Sequence, residues 1–299
     1  MRKMMRTSVL FVKSMRVNQW VKNTFIFAPM IFSMRFLQVD YIKKSLLAFF
    51  LFSLVTGAIY IFNDCFDKKK DRLHPDKRKR PIASGELKIP TALVGAFFML
   101  AAALAAIFKF NLDFFIIAVV YILMNILYSY FLKNIVILDV MVIAVGFVLR
   151  VKIGGDIDNI ELSVWILIIT FLLAIFLGLI KRRQELLKMN NTQANSGSET
   201  RQTLKKYNLS LLDQLISITT ATTLISYIIY VVNPNVLEKF NTKDLYLTVP
   251  FVVFGVFRYL YLTYSEGKGE NPAEILFSDL PFTINIILWL AVFLAVIFY

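Results

Sequence analysis

Apolar runs long enough to cross a bilayer recur from one end of this 299-residue chain to the other. A spanning helix needs about 20 mostly apolar residues, fewer or more with tilt. Nine stretches qualify: 24–37, 45–62, 91–108, 113–131, 135–153, 162–180, 211–232, 245–264 and 281–298. The first is the shortest. Only Leu132, Lys133 and Asn134 separate 113–131 from 135–153, which predicts a tight hairpin. The pattern therefore predicts an all-α integral membrane protein of nine transmembrane helices, forming one domain over 1–299. Composition agrees, with 58% hydrophobic and 18% charged residues, where a soluble domain has about 45–50% and about 25%. A soluble globular enzyme, a disordered chain and a secreted disulfide scaffold are excluded. Cys65 and His74 are the only residues of their types, so an intrachain disulfide or a multi-cysteine metal cluster cannot form. Any metal would fall to carboxylates, which suit Mg²⁺ better than zinc.

The net charge is +13. In a soluble protein that excess would suggest nucleic acid; here no nucleic-acid partner is expected, and the charge instead sets orientation in the lipid bilayer. With the N-terminus inside, the inner segments hold 24 Lys and Arg residues against six in the outer ones. Such a bias is a positive-inside signal. It predicts a multi-pass protein of the cell (inner) membrane whose N-terminus and two long charged loops, 63–90 and 181–210, are cytoplasmic. The basic opening lacks the compact apolar core and small-residue cleavage site of a signal peptide.

The sharpest local signal is Asn63-Asp64-x-x-Asp67-x-x-x-Asp71. The three aspartates are three and four residues apart, so on a helix they share one face. Three carboxylates in a stripe repel one another and call for a cation. Mg²⁺ answers that need, since it binds through a few carboxylates plus substrate phosphates. Asn63 adds a neutral polar group. Arg72, Lys77, Arg78 and Arg80 follow at once, and acids followed by bases in one loop suit a metal–diphosphate. The Pro81-Ile82-Ala83-Ser84-Gly85 turn fixes the direction of Arg78 and Arg80. Tyr128 and Lys133, at the hairpin, are further candidates. Arg150 lies within a predicted span, 11 residues beyond Asp139, and a cation there needs a partner.

At these residues the sequence resembles the UbiA-type prenyltransferase superfamily, nine-helix membrane enzymes with an N-D-x-x-D-x-x-x-D motif for Mg²⁺–diphosphate. The sharper resemblance is to its decaprenyl-phosphate phosphoribosyltransferase branch. Four segments carry it: Arg16-Val17-Asn18-Gln19-Trp20-Val21-Lys22-Asn23; Asp71 through Gly85; Leu149-Arg150 followed by Gly154-Gly155; and Gly178 through Leu186, followed by Thr200-Arg201 and Tyr207. The resemblance implies phosphoribosyl diphosphate as donor, a polyprenyl phosphate as acceptor and Mg²⁺ as cofactor, with the product serving arabinan-type precursors of the cell envelope. It also implies Lys22 as a phosphate ligand, Lys181, Arg182 and Arg201 on the ribose 5-phosphate or the acceptor, and Glu185, Tyr207, Asp139 and Arg150 among the substrate-binding residues. The wider superfamily carries a second D-x-x-x-D motif where this chain reads Lys181-Arg182-Arg183-Gln184-Glu185. A cationic patch suits a donor with an additional phosphate. The alternative reading is an aromatic polyprenyltransferase of the same superfamily, acting on quinone precursors. A homo-oligomer is compatible with the sequence.

Overall fold

The computed structural model describes residues 2–74, 77–192, 204–269, 275 and 278–298. Every regular element among them is helical. The principal helices are α1 (Arg2–Ser14), α2 (Val39–Phe66), α3 (Ile89–Phe110), α4 (Leu112–Tyr130), α5 (Leu138–Ile157), α6 (Val164–Thr192), α7 (Leu209–Val232), α8 (Val249–Ser265) and α9 (Leu280–Phe298). Shorter helices occupy Ala28–Phe32, Lys68–Leu73, Pro81–Ser84 and Pro234–Phe240.

Seven of these helices are long and apolar enough to cross a membrane: α2, α3, α4, α6, α7, α9, and α8 together with the 3₁₀ turn Leu245–Thr248 before it. The other two expected spans differ in instructive ways. Helix α5 has the length but carries Asp139, Arg150, Lys152 and Asp156. The run 24–37 is not one helix. A 3₁₀ segment, Val17–Phe27, passes into the short helix Ala28–Phe32, and Met34 at φ 61° breaks the chain before a last 3₁₀ turn at Arg35–Leu37. Pro29, which has no N–H to give, sits where a helix starts. Apolar composition identified the segment as membrane-compatible but carries no information on such breaks.

The chain divides into two compact units, each described by itself. The first comprises the described residues of 1–133 and 146–162, the second those of 134–145 and 163–299. In the first, Phe52, Val55, Ile107, Phe114, Ala118 and Ile153 form one buried core, and Met15, Ala58, Ile61, Ile82 and Ala92 another. Lipid tails are as apolar as leucine, so helices in a membrane associate through close packing rather than through escape from water. Gly95 on α3 shows the device, since a Cβ there would lie 2.6 Å from the Phe11 ring of α1. Helices α3 and α4 are joined by Asn111 alone, whose side chain accepts the Phe114 N–H at 2.8 Å and caps α4. Helix α2 has 28 residues, about 42 Å at about 1.5 Å per residue. It is longer than the roughly 30 Å hydrocarbon core, and its last turns carry Asn63 and Asp64.

In the second unit Phe176, Leu179, Ile180, Leu212, Ile216, Tyr259 and Leu262 form the core. Gly178 admits Val140, whose Cγ1 would stand 2.6 Å from a Cβ at that position. Asn208 caps α7 by accepting the Leu211 N–H at 2.7 Å.

Candidate active site

The aspartate motif lies in the first unit, where α2 runs out. Asp67 interrupts α2, yet the turns stay helix-like: the Asp67 N–H donates to the Asn63 carbonyl and the Asp71 N–H to the Asp67 carbonyl, both at 2.8 Å. One of the three carboxylates nevertheless diverges from the other two. Arg80 Nη1 donates to Asp64 Oδ1 at 3.1 Å and to Asp71 Oδ2 at 2.6 Å, so one guanidinium bridges two acids. Arg16 also donates to Asp64. Asp67 turns elsewhere, with Lys133 Nζ 4.0 Å from its Oδ1, and its side chain is 41% exposed against 3% for Asp64. Among the described residues no three His, Cys, Asp or Glu side chains form a ready-made metal cage. The donor set still fits Mg²⁺. Two hard carboxylates converge on one cationic centre, and this ion takes one or two carboxylates and completes its shell with phosphate oxygens and water.

The surrounding residues fix the loop. Arg72 Nε donates to the Ala83 carbonyl at 2.9 Å, tying the acidic helix to Pro81–Ser84. Gly85 ends that turn at φ 89°, a conformation glycine adopts without strain. The Lys77 N–H donates to His74 Nδ1 at 3.4 Å, and Arg78 is exposed. Ser129 Oγ donates to Asn63 Oδ1 at 3.1 Å. Next to Ser129, the Tyr128 hydroxyl is buried with no hydrogen-bond partner among the described residues, a state a polar atom rarely keeps without a purpose. Lys22 is half-buried beside fully buried Asn23. Arg150 does not pair with Asp139. Its acceptors are Asn23 Oδ1, the Gly146 carbonyl and Tyr121 Oη.

Asp139 belongs to the second unit, in a tightly closed cluster. Arg182 Nε donates to Asp139 Oδ2 at 2.7 Å, and Arg182 Nη1 to Glu185 Oε2 at 2.5 Å. Tyr207 Oη donates to Asp139 Oδ1 at 2.7 Å and accepts the Ile137 N–H at 2.7 Å. Burial, and then the bond to Asp139, push the Tyr207 phenol above its ordinary range, so it stays protonated and donating. Ile137 stands at φ 73°, a left-handed conformation that strains a β-branched residue. Lys181, by contrast, is exposed. Arg201 lies outside the described residues.

Sequence reasoning missed two partnerships. Arg16 was legible only as part of a motif, and no spacing could join it to Asp64, 48 residues away. Arg183 donates to Asp213 Oδ1 at 2.7 Å and stacks over Tyr264 at 4.0 Å; these residues carry no local signal that connects them.

Helices of membrane-spanning length thus carry acids gathered at one helix end and cations drawn to them from distant segments. The family model of UbiA prenyltransferases matches residues 25–278, and the chain belongs to that family. It is thus an integral membrane transferase. It is 27% identical over 299 aligned residues to the decaprenyl-phosphate phosphoribosyltransferase of Mycolicibacterium smegmatis, with 96% of this chain and 92% of that protein covered. It is also 31% identical over 178 residues to an uncharacterized protein of Sinorhizobium fredii, covering 60% of this chain and only 34% of that longer protein. The structure of a UbiA homologue from Archaeoglobus fulgidus, bound to DMAPP and Mg²⁺, superposes with a TM-score of 0.69. That match covers 96% of this chain and 98% of the other at 20% identity, and establishes the fold alone.

Proposed function

We propose that the chain is a Mg²⁺-dependent glycosyltransferase that moves 5-phosphoribose from phosphoribosyl diphosphate to a polyprenyl phosphate. The observation that carries this reading is the pair Asp64 and Asp71, drawn together on Arg80. In the reaction the ribose C1–O bond to diphosphate breaks and its electron pair leaves with the diphosphate. A phosphate oxygen of the acceptor forms the new C1–O bond. The acceptor is already an anion, so no strong base is needed, which suits a chain with one histidine. The transition state has oxocarbenium character, and its barrier lies in leaving-group charge and positioning.

Asp64 and Asp71 would hold Mg²⁺, with Asp67, the third acid of the motif, beside them; when bound, the ion neutralises the departing diphosphate. Arg72, Lys77, Arg78 and Arg80 supply donors to its oxygens, and Asn63 and Lys133 flank the acids. Lys22, Tyr128 and Arg150 belong to the same unit as these acids. Exposed Lys181 is the stronger candidate for a phosphate, because Arg182 already serves two carboxylates. Asp139, Glu185 and Tyr207 orient Arg182. The Lys and Arg distribution supports a cytoplasmic N-terminus and cytoplasmic charged loops in the inner membrane. The name of the mycobacterial relative supports phosphoribosyl transfer to a polyprenyl phosphate, and a role in arabinan-type envelope precursors rests on the sequence resemblance.

The test is direct. Purified protein with Mg²⁺, labelled phosphoribosyl diphosphate and polyprenyl phosphate is expected to yield labelled lipid and free diphosphate. Transfer of a prenyl group from a prenyl diphosphate to an aromatic acid, with phosphoribosyl diphosphate untouched, overturns the reading in favour of an aromatic polyprenyltransferase.

A further inference from the structure

Arg150 is a cation without a counter-charge among the described residues. Its residue is 4% exposed, and all three of its hydrogen-bond acceptors are neutral: Asn23 Oδ1 at 2.9 Å, the Gly146 carbonyl at 2.5 Å and Tyr121 Oη at 2.9 Å. The rings of Phe52, Tyr121 and Phe147 enclose it at 4.9–5.5 Å. A buried charge with neutral partners is expensive, and apolar replacements of similar volume often stabilise a protein. Arg150 is therefore poorly explained as a device for stability.

What the guanidinium does secure is the orientation of one amide. Arginine has donors only, so it forces the Asn23 oxygen toward itself. The Asn23 Nδ2 is left to donate to Ser53 Oγ at 2.9 Å and Thr56 Oγ1 at 3.2 Å on α2. Asn23 is 1% exposed and belongs to the 3₁₀ segment Val17–Phe27. Gly146, Arg150 and Gly154 follow at four-residue intervals, so they share one face of α5. At Gly154 a Cβ would lie 2.0 Å from the Ile26 carbonyl oxygen, so the backbone of the segment rests directly on that face. At the other end of the segment stands Arg16, at φ 53° and ψ 56°, with its guanidinium 4.9 Å from the Tyr60 ring centroid and bonded to Asp64.

We infer that Arg150 is a positioning residue that acts through Asn23: it fixes the 3₁₀ segment on α2 and α5 and so sets Arg16 against Asp64. The functional half of the inference rests on the proposed transfer reaction, and the structural half does not.

A double-mutant cycle on the full-length protein tests both halves. Arg150→Met and Asn23→Ala, singly and together, are made in a Cys65→Ser background with a spin label at Val21→Cys, an exposed position of the segment. Each single variant is expected to lose about 100-fold in transfer, the scale set by a small misplacement of reacting groups. The double variant should lose no more than the worse single one. Label mobility should rise in both, Arg150→Met should stay folded, since removing a buried charge offsets the unpaired Asn23 oxygen, and Arg150→Lys, which keeps the charge but not the fork, should behave like Arg150→Met. Losses that multiply in the double variant would overturn the inference, because Arg150 would then act on a ligand independently of Asn23. Unchanged label mobility, or unfolding of Arg150→Met, would also overturn it. If the parent transfers no phosphoribose but the label still loosens, the positioning role stands and the reaction assignment falls.

Discussion

The two charged clusters of this protein are built from the same residue types and put to opposite use. In the first unit, Asp64 and Asp71 share Arg80, Arg16 arrives from a separate segment, and Asp67 remains 41% exposed. In the second, Asp139 is fully enclosed between Arg182 and Tyr207, and its arginine is nearly as deeply buried. The first cluster has an open edge at Asp67, and two separate arginines meet at its buried Asp64. The second has each carboxylate oxygen of Asp139 committed, down to a phenol that also holds a backbone N–H. On the proposed function, the acids that a substrate would use share several cations and keep one exposed carboxylate, whereas the acid that orients a neighbour is sealed.

The sharpest break in that comparison comes from deleting one arginine from each cluster. Arg182→Ala strands Asp139 without its buried partner, and breaking such a pair costs about 3–5 kcal/mol; a steep fall in melting temperature in detergent is the expected result. Arg80→Ala leaves Asp64 with Arg16 as a partner, and Asp71 lies in a short helix that begins beside exposed Asp67, so it should cost activity more than stability. Equal destabilisation by the two variants would erase the distinction. Next in size is Tyr207→Phe. It leaves the Ile137 N–H without its acceptor and Asp139 without one donor, a loss of about 1–3 kcal/mol, measured by chemical or thermal unfolding.

Ligand exchange is the next discriminator. Mg²⁺ should raise the melting temperature of the parent protein, since an ion that binds only the folded state stabilises it by mass action. Asp64→Asn and Asp71→Asn should abolish the shift, Glu185→Gln should keep it, and chelation should reverse it. The smallest effect is expected in alkaline solution. The raised Tyr207 pKa means that its stabilising contribution is complete below the unfolded value, about 10, and is lost as pH climbs through the higher folded value. Melting temperature should therefore fall above about pH 10 in the parent, and less steeply in Tyr207→Phe.

Much of this architecture was legible because membrane helices advertise themselves by long apolar runs, and the acids by their spacing and the bases that follow. The limits have physical causes. The run 24–37 looks like a span because hydropathy averages over Pro29 and takes no account of the buried amide of Asn23 just before it, which together decide its actual path. Asp64, Asp67 and Asp71 read as one stripe because spacing assumes an unbroken helix, whereas the break at Asp67 and the pull of Arg80 and Lys133 divide them. Asn23 and Arg150 are 127 residues apart, and Arg182 and Asp139 are 43 apart. Such contacts are products of tertiary packing, and no local pattern encodes them.

The left-handed Ile137 also bears on how this protein could be engineered. A non-glycine residue held in that region costs of order 1–3 kcal/mol. Thermostabilising screens, of the kind used to make membrane proteins survive detergent, would favour glycine at position 137 for that reason alone. Such a winner would be a poor bargain: the relaxed turn would no longer present a fixed N–H to Tyr207, two residues before Asp139. A sturdier protein selected at this position would carry a slackened Arg182.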